Sequence, residues 1–129
     1  MAYLLLIVEP RGQRDTRTQE EARQLYDDMV HYGQRLAARG LLRASESLRP
    51  DQHGVRIQQR DGKTVLRDGP FAEAKEMVGG FFLIDCTTRE EAIAIASACP
   101  AAQWATVEVR EVAPCHVGHV SFAWLSVPV

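Results

Sequence analysis

The chain has 129 residues, 46% of them hydrophobic and 25% charged, and a formal net charge of −2. That is the length of one ordinary domain with a core worth burying, and a second would not fit. The slight negative charge argues against a nucleic-acid binder, which needs a concentrated positive face to neutralise phosphates.

The longest apolar run, Tyr3 to Val8, is strand length and too short to span a bilayer. The N-terminus lacks a basic leader and a small-residue cleavage site, so the expectation is a cytoplasmic protein away from membranes. Cys86, Cys99 and Cys115 are odd in number and widely spaced, which fits reduced thiols better than a disulfide framework. Abundant arginine and alanine, two lysines and no asparagine resemble the bias of a GC-rich bacterial genome.

In chain order, Tyr3 to Glu9 reads as a strand that is apolar on both faces, with Tyr3, Leu5 and Ile7 on one and Leu4, Leu6 and Val8 on the other. A strand covered on one face should alternate with polar residues, so cover on both is expected. Arg11, Arg14 and Arg17 follow, mixed with acids, and read as a solvated loop. Thr18 and Glu21 form a capping-box pattern. From there Ala22, Leu25, Tyr26, Met29, Tyr32, Gly33 and Leu36 hold one helical stripe that reads as core, and Gly40 suits the stop. Leu41 to Leu48 reads as a second strand. Asp61-Gly62, between Val55–Gln59 and Lys63–Arg67, marks a tight hairpin. Pro70 suits the first position of a short helical turn carrying Phe71, Ala74 and Met77/Val78. Phe81 to Asp85 is a third main strand. Thr88 and Glu91 repeat the capping box before a second helix that Pro100 closes, and Ala105 to Glu111 alternates as a fourth strand.

This order, βαββαβ with an inserted hairpin, predicts an α+β fold of ferredoxin-like type over residues 1–112, with a tail at 113–129. Two helices cover one sheet face only. Leaving the other in water forgoes about 25 cal/mol per Å² of burial, so a second copy, as a homodimer, is the expected cover. In the tail, Val120, Phe122 and Trp124 alternate on one side, which suggests an added strand or a dimer contact.

No P-loop, GxGxxG, HExxH or GxSxG is present, and no cofactor is expected. Small isomerases and lyases need only positioned acid and base groups. Asp68 is the first candidate, with Phe71, Glu73 and Lys75 as a ligand pocket beside it; the plainer reading makes Asp68 a cap and the others surface. Glu46 is the second. Alternation sets it in a row with Leu42, Ala44 and Leu48, and a buried carboxylate tends to rise in pKa; the plainer reading leaves it in solvent. His31 lies opposite the apolar stripe of its helix, and His53 in a polar loop. Cys115, His116 and His119 are three potential metal ligands without a fourth nearby, so no metal site is assigned. Arg56, Arg60 and Arg67 on the hairpin offer an anion site or an ordinary exposed hairpin.

Asp68-Gly-Pro-Phe-Ala-Glu-Ala-Lys-Glu76 followed by Gly79-Gly-Phe-Phe-Leu-Ile-Asp85 closely resembles the signature of the DGPF branch of the YCII-related proteins. Tyr3-Leu-Leu-Leu-Ile, Gly40-Leu-Leu, Cys99-Pro-Ala and Val107-Glu-Val-Arg110 agree in order, so the likeness covers roughly residues 1–112. The resemblance implies bacterial, cytoplasmic proteins with a dimeric α+β barrel, whose role is mostly unassigned. The His–Asp pair attributed to related proteins does not carry over, because no histidine here falls on an inward-facing strand. Ala74 stands where threonine is common, so no hydroxyl role carries over there. Two functions are then expected as rivals. One is a small-molecule pocket enclosed by the dimer, with lyase or isomerase chemistry on Asp68 and Glu46. The other is a non-catalytic ligand sensor or protein-interaction module linked to transcription. A secluded carboxylate would favour the first and an exposed apolar patch the second.

Overall fold

The computed structural model describes residues 1–116. The alternating tail segment and His119 lie outside them. Six strands and two helices follow in the order β1 (Ala2–Pro10), α1 (Gln19–Ala38), β2 (Leu42–Ser47), β3 (Val55–Arg60), β4 (Lys63–Asp68), β5 (Glu76–Asp85), α2 (Arg89–Ser97) and β6 (Thr106–Glu111), joined in places by short 3-10 turns. The result is a mixed α+β domain with two antiparallel sheets. The main sheet has the order β2-β5-β1-β6, and β3-β4 is a separate hairpin; among the described residues neither sheet closes into a barrel.

Local chemistry sets the element ends. At the start of α1 the Thr18 hydroxyl accepts from the Glu21 N–H at 3.1 Å while the Glu21 carboxylate accepts from the Thr18 N–H at 2.9 Å. At its end Gly40 takes φ 72°, and Leu41 and Gly40 donate back to the carbonyls of Leu36 and Ala37. The second box is half formed. Thr88 accepts from Glu91 N–H at 3.1 Å, but the Glu91 carboxylate turns one residue further back, to the Thr87 N–H and hydroxyl. Asp61 and Gly62 both adopt positive φ, 52° and 73°, as the tight hairpin turn requires.

Both helices pack on one face of the main sheet. Tyr3, Leu5 and Ile7 of β1 and Phe82 and Ile84 of β5 meet Tyr32 and Leu36 of α1 and Ala92, Ile95 and Ala96 of α2. Tyr32 closes the core twice: its ring stands edge-on to Phe82 at 5.2 Å, and its hydroxyl donates to the Ile95 carbonyl at 2.6 Å. Burial accordingly pushes the Tyr32 phenol up. The other face of β1 carries Leu4, Leu6 and Val8, half-buried beside Leu83 and Phe81 of β5, and neither helix reaches it.

Two expectations are corrected here. Residues after Asp68 do not form a helical turn. Gly69–Pro70 is a cis peptide, the Phe71 N–H goes to the Asp51 carboxylate at 3.2 Å, and one turn from Phe71 O to Ala74 N leads straight into β5. Nor do Leu42, Ala44 and Glu46 share a face. The register slips between Leu42 and Ala44, so Leu42 pairs with Ile84 on the helix side while Ala44 and Glu46 pair with Leu83 and Phe81 on the other. A bulge adds one residue, and one residue reverses every side chain beyond it.

Candidate functional site

The apolar stripe of α1 divides in two. Its C-terminal half, Tyr32, Gly33 and Leu36, is buried as core, whereas Leu25 and Met29 are only half-buried and Tyr26 is 58% exposed. The reason lies opposite, on the sheet. Below the N-terminal half stand Ser45, Ser47, Gly79 and Gly80, which offer almost no side-chain volume. A cavity of about 520 Å³ remains, lined on the helix side by Ala22, Leu25, Tyr26 and Met29. So the expectation that the whole stripe is core holds for half of it; the other half is a cavity wall.

The glycines are where they are because of what they touch. The β1–β5 register slips between Ile7 and Val8, making Gly79 the extra residue of a bulge. A Cβ at Gly79 would stand 2.4 Å from Glu9 Oε2 and 2.7 Å from an Arg14 nitrogen, and one at Gly80 would meet the Glu46 carbonyl oxygen at 2.8 Å.

Glu9 is the one charged residue buried among those described, at 2% exposure. It has the same parity on β1 as Tyr3, Leu5 and Ile7, so the strand aims it under α1. Its Oε1 accepts from Arg14 Nε at 2.5 Å, and Arg14 also donates to the carbonyls of Leu48 at 2.8 Å and Gly79 at 3.3 Å. The arginine segment is therefore no solvated loop. Arg11 pairs with Asp51 at 2.8 Å, Arg14 with Glu9, and the Arg17 guanidinium lies over the Trp104 ring at 4.7 Å. Gln13 ties the last pair together, accepting from Arg17 at 3.1 Å and donating to the Trp104 carbonyl at 2.8 Å. Trp104 lines the cavity, and its indole Nε1 is buried with no hydrogen-bond partner. An unmet buried donor costs about 1–3 kcal/mol.

The residues singled out from sequence fall in two other places. Glu46 lies at the rim of the cavity, but strand pairing with Phe81 turns its side chain to the far face, where it is exposed. Asp68 ends β4 opposite Val55, is exposed, and makes no side-chain hydrogen bond among the described residues. The cap expected of it is supplied by Asp51 instead. Burial raises the Asp51 carboxyl, yet the Arg11 and Phe71 hydrogen bonds together outweigh that and hold it below its ordinary value. Gly69 has its reason here too, since a Cβ there would collide with the Asp51 carbonyl at 1.8 Å.

Phe71 and Glu73 do come together, as a clasp for the hairpin. Phe71 is 7% exposed, with the Arg56 guanidinium 3.8 Å and that of Arg67 5.4 Å from its ring centre. Glu73 pairs with both arginines, and the Arg67 hydrogen bond above all holds its carboxyl down at about 2. Lys75 is exposed, and its carbonyl accepts from the Arg11 N–H at 3.0 Å. None of Asp68, Phe71, Glu73 or Lys75 lines the cavity. His31 is exposed, and no cluster of three metal-ligating side chains occurs among the described residues. Sequence reading missed Glu9, Arg14, Arg17 and Trp104. The parity of Glu9 with the buried side of β1 was the signal that would have found the first.

A small α+β domain with a cavity between its long helix and its sheet is thus the class that fold and site define. The family follows from comparison with known proteins. The family model described as YCII-related domain matches residues 1–116, and the chain belongs to that family. An uncharacterized protein of Rhizobium meliloti (strain 1021) is 30% identical over 93 residues, which is 72% of this chain and 75% of that protein. No helix among the described residues is long and apolar enough to cross a membrane.

Proposed function

We propose that this YCII-related chain, of the DGPF branch by its Asp68-Gly-Pro-Phe71 motif, is a small-molecule-binding domain that works as a homodimer. The cavity under α1 carries the reading. It has an apolar helix wall, a floor of small residues and charged groups at one end, and its size falls within the ~300–1,000 Å³ of ordinary ligand sites. The strand order β2-β5-β1-β6 with both helices on one face supports a ferredoxin-like fold. The uncovered face of Leu4, Leu6, Phe81 and Leu83 supports pairing of two such sheets into an α+β barrel.

A lyase or isomerase step within this reading draws on Glu9 in the cavity wall, since Glu46, at the rim, turns its side chain to the far face of the sheet. Asp68 stands away from the cavity of its own chain, so a catalytic role for it needs the partner copy. A non-catalytic ligand sensor is favoured by a different observation. Glu9 has its charge matched by Arg14, and Glu46 and Asp68 are exposed, so no free acid–base pair is secluded among the described residues.

Thermal-shift screening of a metabolite panel tests the binding site. Hits should raise the melting temperature of the parent and not of Ser45→Leu, which fills the cavity floor. Hits that stabilise both proteins equally would place binding elsewhere.

A further inference from the structure

We infer that the ligand of this cavity is an amphipathic monoanion, a carboxylate on an apolar body, whose head is received by Arg17 beside Trp104. The inference rests on the cavity being the binding site and adds the chemical class of its occupant.

Two independent observations meet at that end of the cavity. The first is the charge of Arg17. Among the described arginines, Arg17, Arg23, Arg35, Arg39, Arg49, Arg60 and Arg89 have no carboxylate within ion-pair distance, and of these Arg17 alone is half-buried and lines the cavity. Arg17 does act weakly on Glu21, but that carboxylate is engaged by the Thr18 N–H. Nor is Arg17 a loose surface side chain. It is half-buried, lies on the indole face, and is held by the Gln13 side-chain oxygen. A guanidinium fixed against an aromatic plane keeps its remaining donors aimed, and such geometry suits an incoming carboxylate.

The second is the indole itself. Trp104 lines the cavity, and its Nε1, buried behind the wall, is a donor with no acceptor in the protein. Native structures rarely leave such a group unmet without a purpose. A carboxylate drawn to Arg17 offers the acceptor oxygens this donor lacks once the indole tilts its N–H toward the cavity, and a neutral or cationic head answers one need or neither. Glu9 does not oppose the anion at close range, because Arg14 already balances its charge. Leu25, Met29 and Phe82 offer the apolar body its contacts.

Phenylalkanoates from phenylacetate to 5-phenylpentanoate, titrated calorimetrically against the matching amides and amines, give the test. The best acid should bind at least tenfold more tightly than its amide, and the amine should not bind. Arg17→Gln should remove most of the acid's advantage while leaving the amide unchanged, and Trp104→Phe should weaken the acid severalfold. Equal binding of acid and amide, lost in both by Ser45→Leu, would overturn the anionic head and leave the cavity as the binding site. Binding by none of the three series would overturn both.

Discussion

Gly79 lies directly against the Glu9 carboxylate, with room for a hydrogen atom and not for a methyl group. The bulge, the buried acid and its arginine are therefore one unit, and changing any member should be felt by the others. Gly79→Ala should destabilise the fold by about 1–3 kcal/mol, the usual cost of overpacking. Adding Glu9→Ala should recover part of that loss rather than add to it, since the clash partner is gone. Strictly additive losses in chemical denaturation would mean that the two residues do not meet.

Arg14→Met should be costlier. It leaves Glu9 buried without its partner, a change worth about 3–5 kcal/mol when the site stays dry. With 29% of its side chain exposed, Arg14 borders on solvent, so the lower end is expected. A loss under half a kcal/mol in urea unfolding would show that the pair contributes nothing to the folded state.

The uncovered sheet face predicts a dimer at micromolar concentration. Leu6→Asp sets a charge at its centre and should yield monomers in sedimentation velocity while keeping the parent's far-ultraviolet circular dichroism. A parent that sediments as a monomer would remove the dimer from the proposal.

Asp51 takes the capping role read from sequence for Asp68, which gives a paired test. Asp51→Ala removes the acceptor for Arg11 and for the Phe71 N–H and should cost about 1–3 kcal/mol. Asp68→Asn should change stability by less than about 0.5 kcal/mol, as for an exposed group away from such features. If Asp68→Asn nonetheless abolishes ligand binding in the dimer, Asp68 belongs to the partner's site.

Glu73 predicts an acid transition in the hairpin clasp. Its folded pKa lies below the ordinary carboxylate value, at about 2, chiefly through the Arg67 hydrogen bond. A depressed folded pKa gives stability that is complete above the unfolded value and is lost as pH falls through the folded one. Hydrogen-exchange protection of β3 and β4 should therefore decline between pH 4.5 and about 2, and Glu73→Gln should abolish that dependence. Equal pH profiles for parent and variant would assign the effect to other carboxylates.

The sequence was most legible where a local rule had no tertiary competitor. Thr18 with Glu21, Asp61 with Gly62, and Gly40 after α1 all behave as their short-range chemistry requires. It was least legible where one residue altered a parity. The slip after Leu42 moves Glu46 to the other face, and no propensity announces a bulge in Leu-Arg-Ala. The site was hidden for a related reason. Arg14 and Arg17 read as surface because their partners, Glu9 and Trp104, are 5 and 87 residues away along the chain, and only folding brings them together.

The floor of Ser45, Ser47, Gly79 and Gly80 has a consequence for diversification. Small side chains and glycines form that part of the cavity lining. The two glycines are constrained by close neighbours, whereas the two serines already carry side chains that line the cavity. Substitution at those two positions would shorten, lengthen or close the chamber while caps, core and strand pairing stay as they are. A single scaffold can thus be retuned to ligands of different length by two side chains on one edge strand.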